Sequence, residues 1–255
     1  MDLGSGIKLW PVWGRLAIRE IQLSVHRTVL GPFWLVLQRI FVGVAFSFLG
    51  LVLWGNSGGL NVEVLVAYMV YAIMIGYLQT ANTALISTIN LADSGLPISI
   101  RLLKPWAREF LLSLISSIVI LLVVGFSGKF SYEALLVVII LITCMGMWGL
   151  GIIMLVSPLA LRFRDFSQIV LLISIVLMFF SPIFWNISDA KNKELAYNIV
   201  TFNPIADSIL AFRSLIGTGS VSMNYVMHLL IQTIVVIGFG FLCFSISRRR
   251  IPYWN

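Results

Sequence analysis

The sequence predicts an all-α integral membrane protein with six transmembrane helices, an N-terminal amphipathic interfacial helix, and short re-entrant helices between spans 5 and 6. Three observations predict it. Of 255 residues, 60% are hydrophobic and only 11% charged, whereas a water-soluble domain runs near half apolar and a quarter charged. The apolar residues fall into six windows of about 20, the length that crosses a bilayer core. No ten-residue segments of alternating polarity point to barrel strands, so the spans are helices, which satisfy their own backbone groups in lipid. The whole chain, 1–255, reads as one membrane domain with little left for a soluble one.

The elements follow in order. Residues 12–30 mix Trp13, Leu16, Ile18, Ile21, Leu23 and Val25 with Arg15, Arg19, Glu20 and Arg27, the pattern of a helix lying in the interface. Span 1 covers 32–54 and span 2 covers 62–85. A cytoplasmic loop over 90–108 contains Asp93, Ser94, Gly95 and Pro97 before a basic cluster. Spans 3, 4 and 5 cover 106–126, 134–156 and 169–185. The longest loop, 186–222, is external. Within it 204–216 carries Ile205, Ile209, Leu210, Phe212 and Leu215 at helical spacing, which suits a short helix dipping into the outer leaflet. Span 6 covers 223–246.

Orientation follows from lysine and arginine in the flanks. One side receives Lys8, Arg15, Arg19, Arg27, Arg101, Lys104, Arg108, Arg162, Arg164, Arg248, Arg249 and Arg250. The other receives Lys129, Lys191, Lys193 and Arg213. A split of 12 to 4 across short loops places both termini in the cytoplasm. The net charge of +7 is therefore juxtamembrane charge and not a nucleic-acid footprint. Arg39 alone lies within a span, roughly 10 Å from its cytoplasmic end at 1.5 Å per residue. Snorkelling back to that interface is the simpler account of it; a pore-facing role is the other. Cys144 and Cys243 lie in apolar segments and read as packing residues, with no disulfide or metal site implied. Residues 1–11 show no signal-peptide pattern.

Several chemistries are excluded. Gly125-Phe126-Ser127-Gly128-Lys129 has the wrong spacing for a phosphate loop and falls on the external side. The ten acidic residues include no close pair for acid–base or metal chemistry. His26 neighbours Arg27, and His228 stands alone on span 6 as a packing or hydrogen-bonding residue. No Asp or Glu is mid-span, which disfavours an ion-coupled carrier. The chain is expected to be no enzyme.

One stretch points to a family. Arg19-Glu20-Ile21-Gln22-Leu23-Ser24-Val25-His26-Arg27-Thr28-Val29-Leu30-Gly31-Pro32-Phe33-Trp34 resembles the N-terminal signature of bacterial polysaccharide ABC exporter permeases, with an Arg-acidic pair, a basic residue, then Leu-Gly-x-x-Trp. It is most similar to the O-antigen (Wzm-like) permeases. Arg162-Phe163-Arg164-Asp165-Phe166 and Ser181-Pro182-Ile183 resemble the family's Arg-Asp loop and Ser/Thr-Pro-Ile end of span 5. Asn203-Pro204 with Arg213 resembles its Asn-Pro helix ending in a basic residue. Gln38 and Arg39 depart from the family's small or apolar residues at these positions. Each matching residue also has a purely structural account: Gly31 and Pro32 as helix breakers, Pro182 as the end of span 5, Arg162 and Arg164 as topology anchors.

The resemblance implies a homodimer of this chain with two ABC ATPase subunits, which bind the ATP and Mg; this chain needs no cofactor. It implies export of an undecaprenyl-diphosphate-linked polysaccharide, most readily O-antigen, across the bacterial inner membrane. Capsular polysaccharide and teichoic acid are alternatives within the class; a drug or small-lipid ABC exporter and a channel-less scaffold are alternatives outside it. Arg19, Glu20, Arg27, Ser94, Gly95, Leu96 and Pro97 are candidates for coupling to the ATPase, and Asn203, Pro204 and Arg213 for an external gate. A sugar channel needs amides or hydroxyls to replace water and flat aromatic faces for sugar rings. Helical stripes supply such walls: Trp34, Gln38, Phe41, Ala45 and Phe48 on span 1, Tyr68, Tyr71, Ile75, Gln79 and Asn82 on span 2, and Ser174, Met178, Ser181 and Trp185 on span 5. Core packing and interhelical hydrogen bonds are the alternative role of the same residues.

Overall fold

A computed structural model of the chain describes residues 2–31, 33–54, 61–88, 91, 95–126, 128, 132–163, 165–185, 200 and 202–253. Among them every regular element is helical: α1 (Asp2–Lys8), α2 (Trp10–Ser24), α3 (Phe33–Trp54), α4 (Val62–Ser87), α5 (Ile100–Phe126), α6 (Tyr132–Arg162), α7 (Phe166–Phe180), α8 (Pro204–Thr218) and α9 (Met223–Ser247), with a 3₁₀ turn at Ile251–Tyr253. Five of these, α3, α4, α5, α6 and α9, are long and apolar enough to cross a membrane. Helix α7 has only 15 residues, about 22 Å at 1.5 Å per residue, short of the roughly 30 Å hydrocarbon core. Its expected continuation to Trp185 is not helical: Ser181 is extended, and Pro182 follows it.

Helix α4 occupies the centre, packing against α3, α5, α6, α7 and α8. From Val64 to Leu78 it is apolar or aromatic on every side, as a helix surrounded by others should be. Its Tyr77 is fully buried, with the phenol oxygen 3.1 Å from Ser113 Oγ on α5. Gly149 of α6 makes the necessary room, since a Cβ there would overlap the Tyr77 ring. Helices α6 and α9 pack closely together and meet at Gly151 and Gly240, where a Cβ on Gly240 would stand 3.1 Å from the Gly151 carbonyl carbon. Small residues at crossings let backbones approach where lipid offers no hydrophobic drive between helices.

The N-terminal segment is helical only to Ser24, followed by a turn in which Arg27 adopts φ 68° and Gly31 φ 55°. Helix α2 packs on the start of α5. Glu20 binds Lys104 (Oε2–Nζ 2.8 Å) and lies 3.6 Å from Arg108 Nε. Trp13 meets Trp106 edge-on at 5.9 Å, and Trp106 donates to the Gly146 carbonyl at 2.8 Å.

Helix α5 begins at Ile100, six residues before the expected start of span 3, so most of the basic end of the expected 90–108 loop is helical. Arg101 explains the difference. Its charge reads as loop in the sequence, yet the residue is 3% exposed, and Nη2 donates to the Leu85 carbonyl at 2.8 Å. A cation there satisfies the terminal carbonyls of α4 and complements its dipole. Pro105 lies inside α5 and leaves the Arg101 carbonyl without its helical donor; Thr88 Oγ1 lies 3.4 Å from that carbonyl.

Candidate functional site

A cavity of about 590 Å3 opens between α3 and α7, with α4 and α5 behind it. Helix α3 contributes Leu35, Gln38, Arg39 and Val42. Helix α4 contributes Tyr68, Tyr71, Ala72, Ile75, Gly76 and Gln79, and α5 contributes Arg108, Glu109 and Leu112. Helix α7 contributes Leu171, Ser174, Ile175 and Met178. Amide and phenol groups thus alternate with branched aliphatics on its walls. Tyr71 donates to the Ser174 carbonyl at 2.6 Å and ties α4 to α7. Toward the far end of α3, Phe46 contacts Tyr68 (5.2 Å between ring centroids) and Phe184 (5.0 Å), an aromatic cluster bridging α3, α4 and the segment after α7.

Arg39 does not snorkel. Its guanidinium points into the bundle, paired with Glu109 through Nη2 and 3.3 Å from Ser116 Oγ through Nη1. Glu109 is 3% exposed and stands ten residues into α5, so an acid does lie inside a span. Pairing accounts for both: an isolated charge at this depth costs several kcal/mol, and an ion pair offsets that. Gly76 provides the space, since a Cβ there would overlap the Glu109 carboxylate and stand 2.9 Å from Arg39 Nη2. An intramembrane arginine calls for a counter-ion; the sequence signal for Glu109 was its position just inside the span 3 window.

Of the expected channel residues, Gln38, Tyr68, Tyr71, Gln79, Ser174 and Met178 meet in this cavity. Trp34, Phe41 and Phe48 do not; they are 47%, 66% and 58% exposed on the outer flank of α3. Asn82 accepts from Ser167 Oγ at 3.1 Å, an α4–α7 contact beside the cavity. Ser181 is fully buried and accepts from Asn203 Nδ2 at 3.1 Å, which joins it to the expected gate residues instead.

Those residues stand along one helix, α8, and its N-cap. Asn203 caps α8, accepting from the Ile205 N–H at 3.0 Å; Pro204 takes the first helical position, and Gly219 ends the helix with φ 76°. Arg213 donates to the Trp185 carbonyl at 2.8 Å and lies 3.9 Å from Glu63. Helix α8 is buried along Ile205, Ile209, Phe212 and Leu215 against α4 and α9. Its Asp207 accepts from Gln232 Nε2 at 3.0 Å, with His228 Nδ1 at 3.9 Å. Burial pushes the Asp207 carboxyl up to about 6, against the opposing pull of His228 and the Gln232 hydrogen bond. So His228 has a carboxylate neighbour on α8.

Of the expected coupling residues, Glu20 is held by Lys104 and Arg108, while Arg19 and Arg27 are exposed. Gly95 adopts φ 68°, and Leu96 and Pro97 are half-buried at the entry to α5. Ser94 lies outside the described residues, as do Arg164 and 186–199 of the external loop. Among the described residues no group of three or more His, Cys, Asp or Glu side chains is placed to hold a metal ion.

The chain is a multi-pass helical membrane protein with a cavity of amide, phenol and aliphatic groups between its helices. Residues 12–217 match the ABC-2 type transporter family, and the chain belongs to that family. It is therefore a membrane-spanning protein of the ABC-2 transporter type. Over 170 residues the chain is 28% identical to the O-antigen export system permease protein RfbA of Klebsiella pneumoniae, covering 67% of this chain and 63% of that permease. The match thus spans less than two thirds of that relative's length.

Proposed function

We propose that this chain is the permease subunit of an ABC exporter for a lipid-linked cell-surface polysaccharide, with O-antigen favoured as the substrate by its similarity to the Klebsiella O-antigen export permease. The observation that carries the reading is the cavity wall, where Gln38, Tyr68, Tyr71 and Gln79 face the same space across α3 and α4. Amides and phenols exchange hydrogen bonds with sugar hydroxyls, and the tyrosine faces accept the apolar sides of pyranose rings. These four groups carry no fixed charge themselves.

In this reading α7 and the segment to Trp185 complete a sixth crossing, both termini are cytoplasmic, and α2 lies at the cytoplasmic interface of the inner membrane. Two copies of the chain work with two ATPase subunits. The α2–α5 junction, with Leu96 and Pro97 beside it, is the docking region for the ATPase, and α8 serves as the external gate.

The test replaces Tyr71 and Gln79 singly with Leu in a strain whose surface polysaccharide depends on this chain. Both variants should insert and assemble but lower surface polysaccharide several-fold. Asn82→Leu, outside the cavity, should have the smaller effect. Normal export by both cavity variants refutes the assignment of this cavity as the polymer path.

A further inference from the structure

The cavity carries more positive charge than its walls neutralise. Among its lining residues Arg39 and Arg108 are cationic and Glu109 is anionic; Arg39 pairs with Glu109, and Arg108 shares Glu20, outside the lining, with Lys104. One positive charge is left over. Arg108 Nε is buried and makes no hydrogen bond, its nearest carboxylate oxygen being Glu20 Oε1 at 3.6 Å. Arg39 directs Nη1 to Ser116 and Nη2 to Glu109, out of the five N–H donors of a guanidinium. Both arginines line the same space, and so does the Glu109 carboxylate.

A guanidinium fork binds carboxylate and phosphate by the same bidentate geometry, so Glu109 occupies Arg39 as a built-in anion that a phosphate can displace. Surplus positive charge near hydrocarbon is costly, and an incoming anion relieves it. The same cavity is lined by Leu35 and Val42 of α3 and Leu171 and Ile175 of α7, which suit an alkyl chain and no free anion in water.

We propose that this cavity binds the phosphate group of an amphiphile, with Arg39 and Arg108 on the phosphate oxygens and Glu109 as the competing internal anion. The proposal rests on the cavity being the substrate path, and assigns its charged end to the phosphate that links a polymer to its lipid.

The full chain, purified in uncharged detergent, is titrated with a long-chain polyprenyl monophosphate and with the corresponding uncharged polyprenol, and occupancy is read by native mass spectrometry. The phosphate should bind at least about tenfold more tightly than the alcohol. Arg39→Gln and Arg108→Gln should each weaken phosphate binding about tenfold, whereas Arg249→Gln, an exposed cation near the C-terminus, should leave it unchanged. Glu109→Gln should tighten binding several-fold, a gain that a merely structural ion pair does not produce. Arg108 is outside the Arg39–Glu109 pair and its side chain is partly exposed, so its variant reports even where Arg39→Gln fails to fold. Phosphatidylglycerol and inorganic phosphate are run alongside. The same arginine dependence with phosphatidylglycerol supports a phosphate site and assigns its occupant to bulk lipid; with inorganic phosphate it supports a headgroup site that needs no chain. Unchanged binding in Arg108→Gln, or weaker binding in Glu109→Gln, overturns the proposal. Failure here with export still lost in Tyr71→Leu and Gln79→Leu rejects the phosphate site and leaves the polymer path standing. The opposite pair of results rejects the path alone.

Discussion

Removing one partner of the Arg39–Glu109 pair should cost far more than removing both. Glu109→Leu leaves Arg39 among Gly76, Tyr68 and Leu112, with the Ser116 hydroxyl at 3.3 Å in place of a carboxylate. An uncompensated buried charge of this kind costs about 3–5 kcal/mol. Arg39→Met alone strands the carboxylate, which is 3% exposed, at a similar cost. The double variant replaces an ion pair by two apolar side chains of comparable volume, and such exchanges run from neutral to stabilising by about 1–4 kcal/mol. The coupling free energy of the cycle should therefore reach at least about 3 kcal/mol. The assay is reversible unfolding in mixed micelles with rising dodecyl sulfate, followed by tryptophan fluorescence, for the wild type and all three variants. If the double variant loses the sum of the two single losses, the pair is not the coupled, buried element described here.

Further predictions test the packing. Gly240→Leu should force α6 and α9 apart and destabilise the bundle by about 2–3 kcal/mol; Gly238→Leu, whose Cβ meets nothing within 4 Å, should change stability by less than about 0.5 kcal/mol, and equal losses in the two would refute the Gly151–Gly240 contact. Asn203→Ala removes both the α8 cap and the donor to buried Ser181, and should cost about 2 kcal/mol in the same unfolding assay, with Asn203→Asp, which keeps the cap, costing less. Asp207 has a carboxyl raised from 3.8 to about 6, so the stability it contributes is complete below about pH 4 and is lost as pH rises through about 6. In a His228→Asn background the chain should then melt higher at pH 5 than at pH 7, and Asp207→Asn should abolish the difference; an unchanged slope would show that another group titrates.

The spans were legible because the signal is local. An apolar window of about 20 residues is complete in itself, so α3, α4 and α9 begin where the hydropathy places them. Helix α8 was legible for the same reason, through Asn203-Pro204 at its start and apolar residues at helical spacing along it. The family signature was also local, carried by the run from Arg19 to Trp34.

The direction in which each face looks was decided by tertiary structure alone. Periodicity shows that Trp34, Gln38, Phe41 and Phe48 share a stripe, but a span apolar on nearly every side has no polar face to mark which side meets lipid and which meets protein. Only the packing of α3 against α4 and α5 turns Val36 and Arg39 inward and leaves Phe41 and Phe48 outside. Pairings between distant residues are equally invisible to a linear reading. Arg39 and Glu109 are 70 residues apart, and Ser181 and Asn203 are 22 apart. Arg101 looked like surface charge because a lone arginine gives no sign of the Leu85 carbonyl that it caps. Length and composition set which segments enter the membrane. Which buried polar group meets which partner is settled only when the helices pack, because a desolvated charge or amide is stable only beside its complement.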